Sequence, residues 1–298
     1  PMTVLARGHG SIGPMLAYRH AFHAGNHADV LKHTVLVAVL RHLAAKDKGF
    51  RVIDTHAGAG GYSLQGRYAQ KKHEYEGGIG RLWARDDLPP PVADYVDLVR
   101  QFNGDGALHQ YPGSPAFARM LLRPQDQLRA YELHPTDFKI LSSYLADAPG
   151  TEVHLSDGFA ALKAQLPPPT RRGLLLIDPP YEVKTDYTRV LAALREALTR
   201  FADGVVMVWL PQLQLLEARQ LPQRLKASAE SQAKKGWLLA RLSVGQADAR
   251  GFGMLGSSVF IANPPHTLAP ALRQALPWLA DVLSAGQAEH ALELSSHA

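Results

Sequence analysis

Short apolar runs, each closed by an acid, a glycine or a proline, alternate along the chain with longer stretches of helical period. The clearest run is Leu174-Leu175-Leu176-Ile177, which leads directly into Asp178-Pro179-Pro180-Tyr181. An unbroken apolar run of this length predicts a strand buried on both faces of a parallel sheet, and the proline pair ends it with fixed torsions. Phe50 to Asp54, Gln127 to Leu133 and Thr151 to Leu155 predict three earlier strands, ending near Asp54, Glu132 and Asp157, and Gly204 to Leu210 predicts a fifth. Trp237 to Val244 and Ser257 to Ala262 read as a closing antiparallel pair around the glycine-rich Gly251 to Gly256. Between them, Asn26 is a credible N-cap, with Asp29 three residues on, for a helix whose apolar face is Val30, Leu31, Val35, Val39, Leu40 and Leu43. Further helices are expected at Ala116 to Leu122, after Phe159 through Leu166, at Tyr187 to Phe201 and at Leu213 to Ala229. Such alternation predicts a doubly wound, Rossmann-like α/β domain.

One stretch departs from it. Residues 62–112 carry two helical segments, Glu74 to Arg85 and Val92 to Phe102, split by Asp86-Asp87-Leu88-Pro89-Pro90-Pro91. We read them as an inserted helical subdomain within a main domain made of 15–61 and 113–298. Residues 1–14 hold three glycines and two prolines without helical period and read as a flexible leader. The residues after about Ala285 read as a frayed end.

Composition narrows the class. With 298 residues, 46% of them hydrophobic, the chain can fill a substantial core. No run approaches the roughly 18 to 20 apolar residues of a membrane span, and no secretory signal pattern opens the chain, so no membrane partner and a cytoplasmic location are expected. The absence of cysteine removes disulfides, thiolate metal sites and cysteine nucleophiles. Lys and Arg exceed Asp and Glu by 32 − 27 = +5, which makes an anionic partner plausible without specifying it.

Chemistry is expected at the strand ends. A carboxylate, a carbonyl beside a proline and an aromatic ring at the carboxyl edge of a sheet make a receptor for a planar amine, although Asp-Pro-Pro-Tyr by itself also suits a simple strand-end turn. The turn Asp54-Thr55-His56-Ala57-Gly58-Ala59-Gly60-Gly61-Tyr62 lets backbone approach a ligand, but Ser63 stands where a dinucleotide fingerprint needs its last glycine, which disfavours NAD. Tyr18, Arg19 and Phe22 are interleaved with His20, His23, His27 and His33. That segment fits a basic, aromatic surface for phosphates or bases, ordinary capping and packing histidines, or, least well, a metal site, since no carboxylate-histidine helix motif accompanies it. Asn263-Pro264-Pro265-His266 imitates the Asp178 motif but has histidine in place of the ring and no acids ahead of it in register, so it reads as a turn. Trp83, Trp209, Trp237 and Trp278 fall on apolar faces and read as core.

Taken together, the glycine turn at Asp54 to Gly60, Glu132, Asp157-Gly158 and Asp178-Pro179-Pro180-Tyr181 resemble S-adenosylmethionine-dependent adenine-N6 methyltransferases. Tyr18 through His33, with Tyr111-Pro112-Gly113-Ser114-Pro115, Glu132-Leu133-His134-Pro135 and the insertion, resemble the RlmJ family of 23S ribosomal RNA adenine-N6 methyltransferases, from Met15 essentially to the C-terminus. The resemblance implies a class I methyltransferase sheet, S-adenosyl-L-methionine as cofactor held by His33, His56, Ser114, Glu132, Asp157, Gly158 and Asp178, and catalysis by Asp178, Pro179 and Tyr181. It places Tyr18 against the substrate RNA, leaves Lys32 a secondary candidate, and implies a monomer without a metal. His56 departs from the apolar or aromatic residue common at this turn in related enzymes, but not from the RlmJ pattern. A DNA adenine or protein glutamine methyltransferase stays open on the site residues, whereas a silent RNA-binding module would have no need of these acids.

Overall fold

The computed structural model describes residues 20–66, 73–104, 106–245, 254–284 and 286–298. The leader 1–14, Tyr18 and Gly251-Phe252-Gly253 lie outside the described residues. In chain order the strands are β1 (Arg51–Asp54), β2 (Gly61–Ser63), β3 (Gln110–Pro112), β4 (Gln127–Tyr131), β5 (Thr151–His154), β6 (Gly173–Ile177), β7 (Val205–Gln212), β8 (Trp237–Ser243), β9 (Gly256–Ala262) and β10 (Glu289–Leu294). Eight of them form one sheet in the order β10-β8-β9-β7-β6-β1-β4-β5, and β2 pairs with β3 apart from it. From β5 across to β7 every pairing is parallel, while β9 runs antiparallel between β7 and β8.

Strand periodicity divides the core. In β6, Leu174 and Leu176 enter the cluster beneath the helices His27–Ala44 and Leu268–Leu283, while Leu175 and Ile177 enter the opposite cluster beneath Thr185–Arg200 and Leu216–Gln232. All four are at most 3% exposed, which is why the run is continuously apolar rather than alternating. The helix at His27 starts as its sequence predicts, with Asn26 Oδ1 accepting from the Asp29 amide at 2.9 Å.

The insertion shares this core. Tyr95, Val96 and Val99 of the helix Pro90–Asn103 join the cluster that holds Val35 and Val39, and β2 and β3 clip the two ends of the insertion together. The single helix expected from Glu74 to Arg85 is instead a 3-10 turn, Glu74–Gly77, followed by a short helix, Ile79–Leu82. The cause is a close backbone contact: the Ile79 amide donates to Gly25 O at 2.9 Å, and a Cβ on Gly78 would lie 2.1 Å from that same oxygen. Two consecutive glycines permit the approach and forbid a continuous helix.

The tail differs from expectation as well. Instead of fraying, Glu289–Leu294 adds β10 antiparallel to β8. Leu292 and Leu294 pack on the core while Glu289 and His290 stay exposed, a pattern too weak to read in isolation but suited to an edge strand.

Candidate active site at the carboxyl edge of the sheet

From β1 the chain moves one way to β4 and β5, while β6 and β7 lie on its other side, so β1 and β6 flank the point where the winding reverses. In open α/β sheets the ligand crevice opens there, beyond the carboxyl ends of the strands. A cleft of about 710 Å³ occupies that place, lined by Thr55 to Gly58 after β1, Glu132 to His134 after β4, Asp178 to Tyr181 after β6, and the amino-terminal turns of the helix His27–Ala44. Its volume suits a ligand of cofactor size.

Asp178 is not alone. Lys32 Nζ donates to Asp178 Oδ2 at 2.5 Å and lies 3.2 Å from Asp29 Oδ1. Asp29 Oδ2 in turn meets His20 Nε2 at 2.7 Å and accepts from the Gly25 amide at 2.9 Å. Lys32 is only 6% exposed, and burial by itself would lower its pKa; Asp178 and Asp29 reverse that and hold the ammonium charged. Burial likewise works against the Asp29 carboxylate, but His20 and Lys32 hold its pKa well below the usual range. An ion chain thus runs from the start of the first long helix to the end of β6.

The acid after β4 is held differently. Glu132 Oε1 accepts from the Gly58 amide at 2.9 Å and Oε2 from the His134 amide at 2.7 Å, which fixes the carboxylate between the two turns. Burial raises its pKa, and these donors offset part of the rise. Ser114 donates to Asp54 Oδ2 at 2.5 Å, and Asp54 Oδ1 is buried without a hydrogen-bond partner. Burial pushes the Asp54 carboxyl up to about 7, with Ser114 opposing and Asp178 reinforcing the shift. His56, in the glycine turn, is pushed down to about 4 by burial, and burial also holds His33 well below the usual imidazole range. His33 Nδ1 lies 2.7 Å from Tyr111 Oη, itself 2.7 Å from Tyr95 Oη, so the insertion's long helix braces the site helix.

Of the residues expected at the site, His33, His56, Ser114, Glu132, Asp178, Pro179 and Tyr181 line this one cleft. Asp157 and Gly158 do not line it, although the neighbouring Phe159 packs on His56. Asp157 pairs with Arg189, whose guanidinium lies 4.5 Å from the Phe159 ring centroid, and His56 meets that ring edge-on at 4.8 Å. Gly158 packs on backbone, where a Cβ would fall 2.2 Å from Thr55 O. Tyr181 takes a left-handed backbone, φ 54°, and its hydroxyl donates to Trp209 O at 2.6 Å, while its ring leans on Tyr187 and Trp209. A side-chain-bearing residue in that region stores strain and is characteristic of functional turns.

Several lining residues escape the sequence reading. Trp209, expected in the core, lines the cleft with its ring centroid 5.7 Å from Lys32 Nζ and its indole nitrogen buried without a partner. Its place next to last in the predicted strand Gly204 to Leu210 was a usable signal, because side chains near the end of a predicted strand reach the cleft. Asp29 escapes as well, although it stands three residues before Lys32, the secondary candidate, at the spacing that lets two side chains meet. The clustered histidines disperse: His20 goes to Asp29, His23 to Glu74 at 2.9 Å and His33 to Tyr111. Among the described residues no three of His, Asp and Glu are grouped to hold a metal ion.

Residues 47–294 match the family described as RsmJ, "Ribosomal RNA large subunit methyltransferase D, RlmJ". The chain is 45% identical over 277 residues to "Ribosomal RNA large subunit methyltransferase J" of Escherichia coli (strain K12), covering 93% of this chain and 97% of that protein. It is 44% identical over 270 residues to the protein of the same name from Haemophilus influenzae, covering 90% and 94%. A Legionella pneumophila protein of known crystal structure superposes with a TM-score of 0.83 at 34% identity, over 92% of this chain and 99% of that one.

Proposed function

The chain belongs to the RlmJ family of ribosomal RNA large subunit methyltransferases, and from that premise we propose that it transfers a methyl group from S-adenosylmethionine to the exocyclic N6 of an adenine in 23S ribosomal RNA. The observation that carries this reading is the convergence of Asp178 at the end of β6 and Glu132 at the end of β4 on one cleft at the reversal of the sheet.

The residues present fit the cofactor. Asp29, Glu74, Glu132, Asp137 and Asp178 line the cleft against Lys32, a balance that suits a ligand with a cationic sulfur. Glu132, already locked by two amides, would accept from the ribose hydroxyls. Ser114 lines the cleft and holds Asp54, whose other oxygen is buried without a partner, while His33 and His56 present neutral rings. We retain Asp157 and Gly158 as the place for the cofactor's adenine, with Asp157 accepting from its amine. When bound, S-adenosylmethionine supplies an electrophilic methyl group.

The chain's own residues prepare the acceptor. An adenine amine is a poor nucleophile because its lone pair is shared with the ring. Asp178 and the Pro179 carbonyl are proposed to accept its two N–H hydrogens, drawing the nitrogen toward pyramidal geometry and aiming the lone pair along the line of transfer. Lys32 on Oδ2 fixes the carboxylate and leaves its other oxygen to the amine. The proton released from nitrogen after bond formation goes to Asp178 or to water. Tyr181 is proposed to stack on the base, which must unstack to enter, and Tyr18 to meet the RNA. Methyl incorporation from labelled cofactor, measured in parallel on unmodified 23S RNA, on DNA and on protein, tests the reading. Label is expected in RNA adenine N6; label only in DNA or protein overturns it.

A further inference from the structure

The opposite edge of the sheet, where the parallel strands begin, carries turns that serve none of the chemistry above. The turn between the first long helix and β1 is held from below by two guanidiniums: Arg123 donates to Ala44 O at 3.1 Å and Lys46 O at 2.7 Å, and Arg172 to Leu43 O at 2.7 Å and to Lys48 O. Both lie over the Phe50 ring, at 5.9 and 6.0 Å. Next to it stands Asn263-Pro264-Pro265-His266, the motif that imitates the catalytic one. Asn263, buried, accepts from the Lys235 amide at 2.8 Å and donates to Ala202 O at 2.9 Å and Gly204 O at 2.8 Å, so it locks the turn that carries Lys235 to its own. His266 meets the His42 ring edge-on at 5.2 Å, and Thr267 Oγ1 lies 3.0 Å from His42 Nδ1.

Charge is one-sided here. Burial lowers the His42 pKa, and His266, Lys46, Lys235 and Arg172 lower it further, all of them cationic or able to become so. Of the nearby acids, Asp126 is taken by Arg123 and the Phe50 amide, while Asp47, next to Lys46, and Asp203, in the turn that Asn263 holds, are exposed. Lys46, Lys235 and His266 are exposed. Exposed Lys46, Lys48, Lys234 and Lys235 outnumber those two carboxylates, and rigid turns with such a surplus form a surface for an extended polyanion.

We propose that this amino edge of the sheet is a second RNA-binding face, on which Lys46, Lys235 and His266 contact phosphates of the substrate RNA remote from the adenine in the cleft. The proposal rests on the RNA reading of the cleft. β6, which ends at Asp178, is five residues long, so the cleft and the amino edge are about 17 Å apart along it. One nucleotide cannot reach both, whereas a folded ribosomal RNA can. Phosphate contacts of this kind set register and affinity without reading sequence.

The test compares the charge-removing pair Lys46→Gln/Lys235→Gln with a control pair of equal charge change, Lys163→Gln/Arg224→Gln, on helices that cover one face of the sheet. Binding of unmodified 23S RNA is measured across a salt series, alongside methyl-transfer kinetics, cofactor affinity and thermal unfolding. The amino-edge pair is expected to lower the slope of log affinity against log salt by about 2 and to raise KM for RNA, with kcat, cofactor affinity and unfolding unchanged. Equal effects from both pairs, or none from either, overturn the proposal. Wild-type protein that binds RNA but methylates none would instead refute the reading of the cleft, while the binding arms would still report on this face.

Discussion

The two edges of one sheet treat charge in opposite ways. At the carboxyl edge, Asp54, Glu132 and Asp178 are withdrawn from water, and each is compensated by a different device: a raised pKa with a serine hydroxyl, two backbone amides, and a buried lysine. At the amino edge, Lys46 and Lys235 stay in water on rigid turns, and neither forms an ion pair among the described residues. Desolvated charges interact strongly and only in one geometry, so the first arrangement can position a reacting atom. Hydrated charges interact weakly and tolerate many geometries, so the second can only gather a polyanion. The difference teaches that burial, more than residue type, separates chemistry from adhesion in this fold.

That contrast can be broken by substitution. The largest effect is expected at Asp178: Asp178→Ala should lower methyl transfer by at least about 100-fold, measured as label incorporation, with cofactor affinity largely kept, because Glu132 and the glycine turn are untouched. Lys32→Met should follow. It leaves Asp29 and Asp178 facing each other without their cation, and a destabilisation of about 3–5 kcal/mol is expected in urea unfolding. Gly158→Ala forces a Cβ against Thr55 O and should cost about 1–3 kcal/mol, read as a lowered Tm.

A pH titration sharpens the comparison further. Asp54 ionises near 7 in the folded chain and near its ordinary 3.8 when unfolded, so the folded state binds that proton more tightly. The resulting stabilisation is complete below the unfolded value and is lost as pH rises toward 7. The stability difference between wild type and Asp54→Asn should therefore fall across that window and stay flat above it; a flat difference throughout would show that Asp54 is not shifted. The smallest effect is expected at the other edge, where Lys46→Gln should change unfolding free energy by no more than about 0.5 kcal/mol, since its ammonium is in water in both states.

Much of this was legible beforehand because it is local. The N-cap at Asn26, the buried run of β6 and the acids at strand ends follow from side-chain period, capping and backbone torsion, which act over a few residues. Where a local pattern misled, a distant contact had overridden it: Gly25 splits the expected helix at Gly78, β8 recruits the tail as β10, and the position of β7 brings Trp209 to the cleft.

The sequence by itself therefore determined the strands β1 and β4 to β9, the α/β class and which residue types stand at the strand ends. Only the tertiary structure decided which of those ends share a cleft, that Asp157 faces Arg189, and that Lys32 meets Asp178 across 146 positions of chain. It also decided that the second Pro-Pro turn anchors a cationic face on the far side of the molecule. The physical reason is range: torsional preference and periodicity are written within a few residues, whereas desolvation and charge pairing depend on which strands become neighbours, and strand order is fixed only when the sheet closes.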